Sequence, residues 1–195
     1  MATSAFRYSA LAVFAMMLVT EAVEAAQIEY RLLATNRTST MESEMNSAGA
    51  DGFRFRQVMG GETAFGGKET VVAMAREVSD SFDRAEYKLL ATSRTSTMQN
   101  ELDQAGRDGY RYVGQTVFQT AFGGEEVVVM LERDPDREPV TYQYLLLATL
   151  RTSTLEREMQ EVGEDGFVLQ GLTVGETRFG GREVLAILSR SPRED

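Results

Sequence analysis

The sequence predicts an α+β fold: three tandem β-α-β-β units, each a three-stranded sheet in the order 1-3-2 with one helix on one face. Three observations predict it. Tyr30, Tyr87 and Tyr144 open, and Arg76, Arg133 and Arg190 close, segments that recur 57 residues apart with no insertion or deletion, as a repeated supersecondary unit does. Inside each segment the apolar period changes from a strand pattern to a helix pattern and back. Glycine pairs at Gly66-Gly67, Gly123-Gly124 and Gly180-Gly181 then separate two further strand-like runs, as a two-residue hairpin turn requires.

The first element of each unit, "YRLLAT", "YKLLAT" or "YLLLAT", is short, apolar and bounded by polar residues, which reads as a strand. A helix follows. Met41, Met45 and Ala48 fall at i, i+4 and i+7, and so do Met98, Leu102, Ala105 and Leu155, Met159, Val162, giving one apolar stripe per helix. Ser39 with Glu42, Ser96 with Gln99 and Ser153 with Glu156 have the spacing of a capping box. Gly49, Gly106 and Gly163 read as helix stops, because a residue without Cβ takes the left-handed conformation that closes a helix. The runs "DGFRFR", "DGYRYV" and "DGFVLQ" alternate as second strands. The third strands are "ETVVAMAR", "EEVVVMLER" and "EVLAILSR".

A unit this short buries only about 60% of its unfolded surface, so the copies are expected to support one another. The third strand indicates how. Val127 to Leu131 and Val184 to Leu188 are apolar without alternation, which calls for cover on both faces. One cover is the unit's own helix and the other a neighbouring unit. A right-handed crossover from strand one to strand two leaves room between them for this most buried strand. In that order Arg37 is expected to approach Glu69, Arg94 to approach Glu126 and Arg151 to approach Glu183. At the other pole Asp51 should meet Arg76, Asp108 should meet Arg133 and Asp165 should meet Arg190.

The strings "MNSAGADGFRFR", "LDQAGRDGYRYV" and "MQEVGEDGFVLQ" resemble the L-N-x-L-G-x-E-G-W signature of the domain of unknown function 4177 family. The resemblance covers each unit in element order, and its specific part is the helix end and the turn after it. Phe53, Tyr110 and Phe167 stand where that family prefers Trp, and the loop before the helix is shorter. The resemblance implies a small strand, helix and hairpin fold and no established activity.

With 43% hydrophobic and 26% charged residues the chain has material for a core and is not of disordered composition. Its net charge of −10 argues against nucleic acid, whose phosphates need a basic face. Residues 1–25 read as a cleaved signal peptide: Arg7, the apolar run Ala10 to Val19, and small residues around Val23 and Ala25. That run is too short for a bilayer, which needs roughly 20 apolar residues. The repeats then occupy 28–78, 85–135 and 142–192. The chain has no cysteine and no histidine, so disulfides, zinc–thiolate sites and a thiol nucleophile are excluded. A disulfide-free exported chain fits a bacterial periplasm or secretion, and no metal or cofactor is expected.

The Arg-Thr-Ser-Thr string at each helix start can be read in two ways. It is either a helix start with its arginine held by the sheet, or an anion site made of free N–H groups, hydroxyls and a guanidinium. The anion-site residues would be Arg37, Ser39 and Thr40, with Arg94, Ser96 and Thr97 and with Arg151, Ser153 and Thr154. A binding module would use Phe65, Phe122 and Phe179 at the hairpin tips. A scaffold or assembly component of the cell envelope would use sheet edges. Catalysis would rest on a carboxylate pair such as Glu44 with Glu69, as in glycoside hydrolysis. The chain is expected to be a non-catalytic binding or scaffold module, acting on a protein partner or a small anion.

Overall fold

The computed structural model describes residues 27–63, 67–78, 83–92, 94–119, 125–176 and 182–191. The signal segment and the expected tip residues Phe65, Phe122 and Phe179 lie outside these residues, as do the glycine pairs apart from Gly67. Gly67 begins a strand and pairs with Thr63, so the expected two-residue turn of Gly66 and Gly67 does not form. The first unit comprises β1 (Ile28–Thr35), α1 (Thr38–Ala50), β2 (Arg54–Thr63) and β3 (Gly67–Glu77). The second comprises β4 (Glu86–Thr92), α2 (Thr95–Arg107), β5 (Arg111–Gln119) and β6 (Glu125–Arg133). The third comprises β7 (Gln143–Thr149), α3 (Thr152–Glu164), β8 (Val168–Glu176) and β9 (Arg182–Arg190). Each unit forms its own antiparallel sheet, in the orders β1-β3-β2, β4-β6-β5 and β7-β9-β8. The expected 1-3-2 order holds in all three.

The third strand is central because it is apolar on both faces. Val127, Val129 and Leu131 pack with Met98, Leu102 and Ala105 of α2. The alternate residues Val128 and Met130 join Met41, Met45 and Ala48 of the preceding unit's helix. In the third unit Leu185 and Ile187 likewise join the α2 core, whereas Ala186 and Leu188 pack with Leu155 of α3. Each interior helix is therefore held between its own sheet and the outer face of the next. Four residues are buried along α1 and four along α2, but on α3 only Leu155.

The helix boundaries differ from the sequence reading at both ends. Arg37, Arg94 and Arg151 occupy the N-cap positions, with no side-chain cap, so Ser39, Ser96 and Ser153 lie within the first turn and the capping boxes do not form. Glu42 and Gln99 are used elsewhere, as described below. At the other end the helices run through Gly49, Gly106 and Gly163, and the left-handed residues are Gly52, Gly109 and Gly166, with φ of 83–84°. Gly52 N–H bonds Gly49 O (3.0 Å) and Phe53 N–H bonds Ala48 O (3.0 Å), which is the paired bonding of a Schellman motif. The other two units repeat it.

The expected latches also resolve differently. Arg37, Arg94 and Arg151 are exposed and, among the described residues, form no ion pair with Glu69, Glu126 or Glu183. The chain leaves the sheet at Thr35, opposite Thr70, and turns into the helix before Arg37 can follow the register. At the other pole the arginines do reach the aspartates, but at the backbone. Arg76, Arg133 and Arg190 donate to the carbonyls of Asp51, Asp108 and Asp165 at 2.7, 3.2 and 2.7 Å. Each guanidinium also stacks 4.5–4.7 Å from the ring of Phe53, Tyr110 or Phe167 and binds the side chain of Glu29, Glu86 or Gln143. One cation thus satisfies helix-end carbonyls and fastens the aromatic that begins the second strand.

Candidate functional site

The unit-to-unit interface is the most elaborate polar arrangement in the molecule, and it starts from a sheet edge. β4 and β7 lie at the edges of their sheets, so alternate backbone groups on each have no strand beside them, a condition folded proteins cover or blunt. Here the preceding helix covers them. Asn46 accepts from Tyr87 N–H and donates to Tyr87 O, both at 2.9 Å, and Glu42 Oε2 accepts from Leu89 N–H at 2.8 Å. In the next copy Gln99 donates to Tyr144 O (3.0 Å) and accepts from Leu146 N–H (2.7 Å). The helix backbone takes part as well: Gly49 O accepts from Ala85 N–H at 3.1 Å and Gly106 O from Tyr142 N–H at 3.0 Å.

This last contact explains glycines in the body of a helix, where they cost about 1 kcal/mol against alanine. A β-carbon on Gly49 would collide with Ala85 O, and one on Gly106 with Tyr142 O. The sheets approach as closely further along. A β-carbon on Gly114 would stand 2.7 Å from the Phe55 ring, and one on Gly171 would run into the Tyr112 hydroxyl. A one-residue bulge in each second strand, at Arg56, Val113 and Gln170, resets the side-chain alternation. It turns Gly114 and Gly171 toward the preceding unit.

A buried carboxylate pins the first interface. Glu132 is 1% exposed; it accepts from Arg54 Nη1 (2.9 Å), from the Tyr87 hydroxyl (2.7 Å) and from Arg111. Arg54 also binds Asp134 and donates to Arg84 O. Ser189 takes this place in the third unit, and the Tyr144 hydroxyl donates to Tyr110 O (2.9 Å) instead. Burial pushes the Tyr112 phenol up to about 12. Tyr87 is pushed higher by burial and by the Glu132 charge, and Tyr144 by burial foremost. These rings are held neutral in the fold, whereas an unfolded chain ionises them near about pH 10. Their stabilisation is therefore complete below about pH 10 and is lost as pH rises above it, by up to about 1.4 kcal/mol per pH unit for each ring. Denaturant midpoints should fall steadily as pH is raised above about 10. Midpoints that stay unchanged above about pH 10 would contradict the burial argument.

The expected anion-site residues stand at the helix starts: Arg37, Ser39, Arg94, Ser96, Arg151 and Ser153 are exposed, and Thr40, Thr97 and Thr154 half-buried. A hollow beside the first start is lined by Arg37, Thr38, Ser39, Glu42, Leu89, Leu90, Ala91 and Glu101. Two carboxylates on its wall oppose an anion there. A second, narrow hollow between Arg94, Met98, Gln115, Val127 and Ile187 is mainly apolar. Neither is lined by Glu44 or Glu69. Among the described residues no cluster of acidic side chains is arranged to hold a metal ion, and no helix is long and apolar enough to cross a membrane.

At the two ends of the stack the interface residues recur without a neighbour. Tyr30 is 73% exposed and Leu32 69%, whereas Tyr87 and Tyr144, the equivalents of Tyr30, are 3% and 4% exposed. Met59 is also exposed on this face. At the far end Leu169, Leu172 and Val174 are exposed, and a β-carbon on Gly163 would meet nothing within 4 Å. Reading the sequence alone assigned Glu42 and Gln99 to capping boxes and did not single out Asn46. The available signal was the glycine kept inside each helix at a cost to helix propensity, which marks a close approach. Compared with known protein families, with curated proteins and with solved structures, the chain finds no match.

Proposed function

We propose that this chain is a non-catalytic assembly module that acts through the two end faces of its stack. The observation that carries this reading is the pair of exposed apolar surfaces, Tyr30, Leu32 and Met59 at one end and Leu169, Leu172 and Val174 at the other. Contiguous apolar surface of this kind marks a contact site. Glu42 and Glu101 beside Arg37 disfavour the small-anion alternative. The signal-like start over residues 1–25 supports a role outside the cytoplasm, as a scaffold of the cell envelope, and the resemblance to a domain of unknown function is compatible with it.

A photo-crosslinking residue placed at Leu32 in one variant and at Leu172 in another, in cells that make the protein, tests the reading. Both are exposed, so the fold tolerates the change. The expected result is a discrete protein adduct from each position and none from an exposed control such as Ser47. The absence of adducts from both faces would refute the proposal.

A further inference from the structure

We infer that the partner of each end face is a second copy of this chain, bound head to tail so that α3 of one molecule covers the open edge of β1 in the next. The inference rests on the assembly reading above and names its partner. Its support is that the required interface is already built twice within the chain. Wherever a helix meets the following unit, the same three kinds of contact recur. A helix glycine carbonyl takes an N–H from the residue two before the strand's tyrosine. A polar side chain two turns earlier, Glu42 or Gln99, serves the backbone edge beside that tyrosine, joined at the first interface by Asn46 one turn earlier. The tyrosine hydroxyl binds at the start of the preceding unit's second strand.

Both halves of a third such interface are present and unused. On α3, Gly163 keeps the space that Gly49 and Gly106 need, and Glu156 and Gln160 stand exposed at the positions of Glu42 and Asn46. On β1, Ile28, Tyr30 and Leu32 stand exposed at the positions of Ala85, Tyr87 and Leu89. β1 is the edge strand of its sheet. In the docked pair Ile28 N–H would bond Gly163 O, and Gln160 would bond the backbone of Tyr30. Glu156 would accept from Leu32 N–H, and the Tyr30 hydroxyl would donate to Phe167 O.

The differences at the ends are also complementary. Inside the chain the large rings of Phe55 and Tyr112 face Gly114 and Gly171. At the ends the corresponding residues are the smaller Leu169 and the larger Gln57, so bulk is exchanged across the contact. Such an interface is heterologous, and closes into a ring or extends as a filament according to the rotation between units.

The chain offers a direct complementation test. Gly163→Arg blocks the α3 face and Leu32→Lys blocks the β1 face, each at a position open to solvent. Sedimentation velocity on the wild type should show species larger than a monomer that gain weight with concentration across the micromolar range. Each variant alone should stay monomeric, and a mixture of the two should form a one-to-one dimer through the pair of intact faces, which also demonstrates that both variants fold. A wild type that is monomeric throughout, variants that associate as the wild type does, or a mixture that fails to pair would overturn the inference. In the crosslinking experiment, adducts with a different protein at both faces would overturn it while leaving the assembly reading intact.

Discussion

Gly106→Ala is expected to destabilise the monomer by about 1–3 kcal/mol, while the same substitution at Gly163 raises its stability by up to about 1 kcal/mol. The two glycines occupy equivalent positions in α2 and α3. At Gly106 the new methyl would be driven into Tyr142 O, with the Tyr144 ring 3.1 Å away, and backbone cannot move aside as a flexible side chain can. The second and third units must separate, stretching the bond from Tyr142 N–H to Gly106 O. At Gly163 the methyl meets open space and brings only the helix preference of alanine. Gly49→Ala should behave as Gly106→Ala does, because Ala85 O stands in the same place. Urea denaturation of the three variants, at concentrations where the chain is monomeric, decides the matter. Equal effects at all three positions would mean that close approach is not what these glycines provide.

The largest loss is expected when Glu132 is left without cations. Arg54 and Arg111 both bind its buried carboxylate, so either one alone keeps it compensated. Loss of a single arginine should cost about 1.5–3 kcal/mol, the range for hydrogen bonds to a charged group. Replacing both by alanine strands the charge and should cost about 3–5 kcal/mol beyond the lost contacts, so that the double variant falls below the sum of the singles. Adding Glu132→Leu to the double variant should recover much of the loss, since removing a whole buried ionic cluster is often close to neutral. Strict additivity in denaturant midpoints would refute this account.

The architecture was legible because it depends on periodicity. The Met41, Met45, Ala48 stripe located the helix, the two strand-like runs after it located the hairpin strands, and the unalternating run Val127 to Leu131 placed the third strand at the centre with a neighbour behind it. The glycine pair Gly66-Gly67 was misread as a two-residue turn, since Gly67 pairs with Thr63 inside the sheet. The other parts that were misread depend on side chains with more than one possible partner. Glu42 lies three residues after Ser39, a spacing that serves a capping box and an exposed helix flank equally well, and the open edge of β4 offered it the better partner. Arg37 carries no local signal of which way the chain leaves the strand. Asp51 and Arg76 were correctly brought together, but spacing along a chain does not distinguish a carboxylate from the carbonyl of the same residue. The end faces could not be read at all, because Tyr30, Tyr87 and Tyr144 occupy the same sequence pattern and differ only in what lies next to them.

The backbone bonds Ala85 N–H to Gly49 O and Tyr142 N–H to Gly106 O also restrict how such a chain can change length in evolution. Both fix where the next edge strand sits against the helix before it, so a residue gained or lost inside the helix or inside that edge strand moves the bonded groups out of register, whereas the connections between elements can absorb one. Gain or loss of a whole unit shifts none, since the copy that follows presents the same face as the one it replaces. Growth or shrinkage by complete units therefore leaves every such contact in place, which makes the whole unit, and not the residue, the natural step of length in this fold.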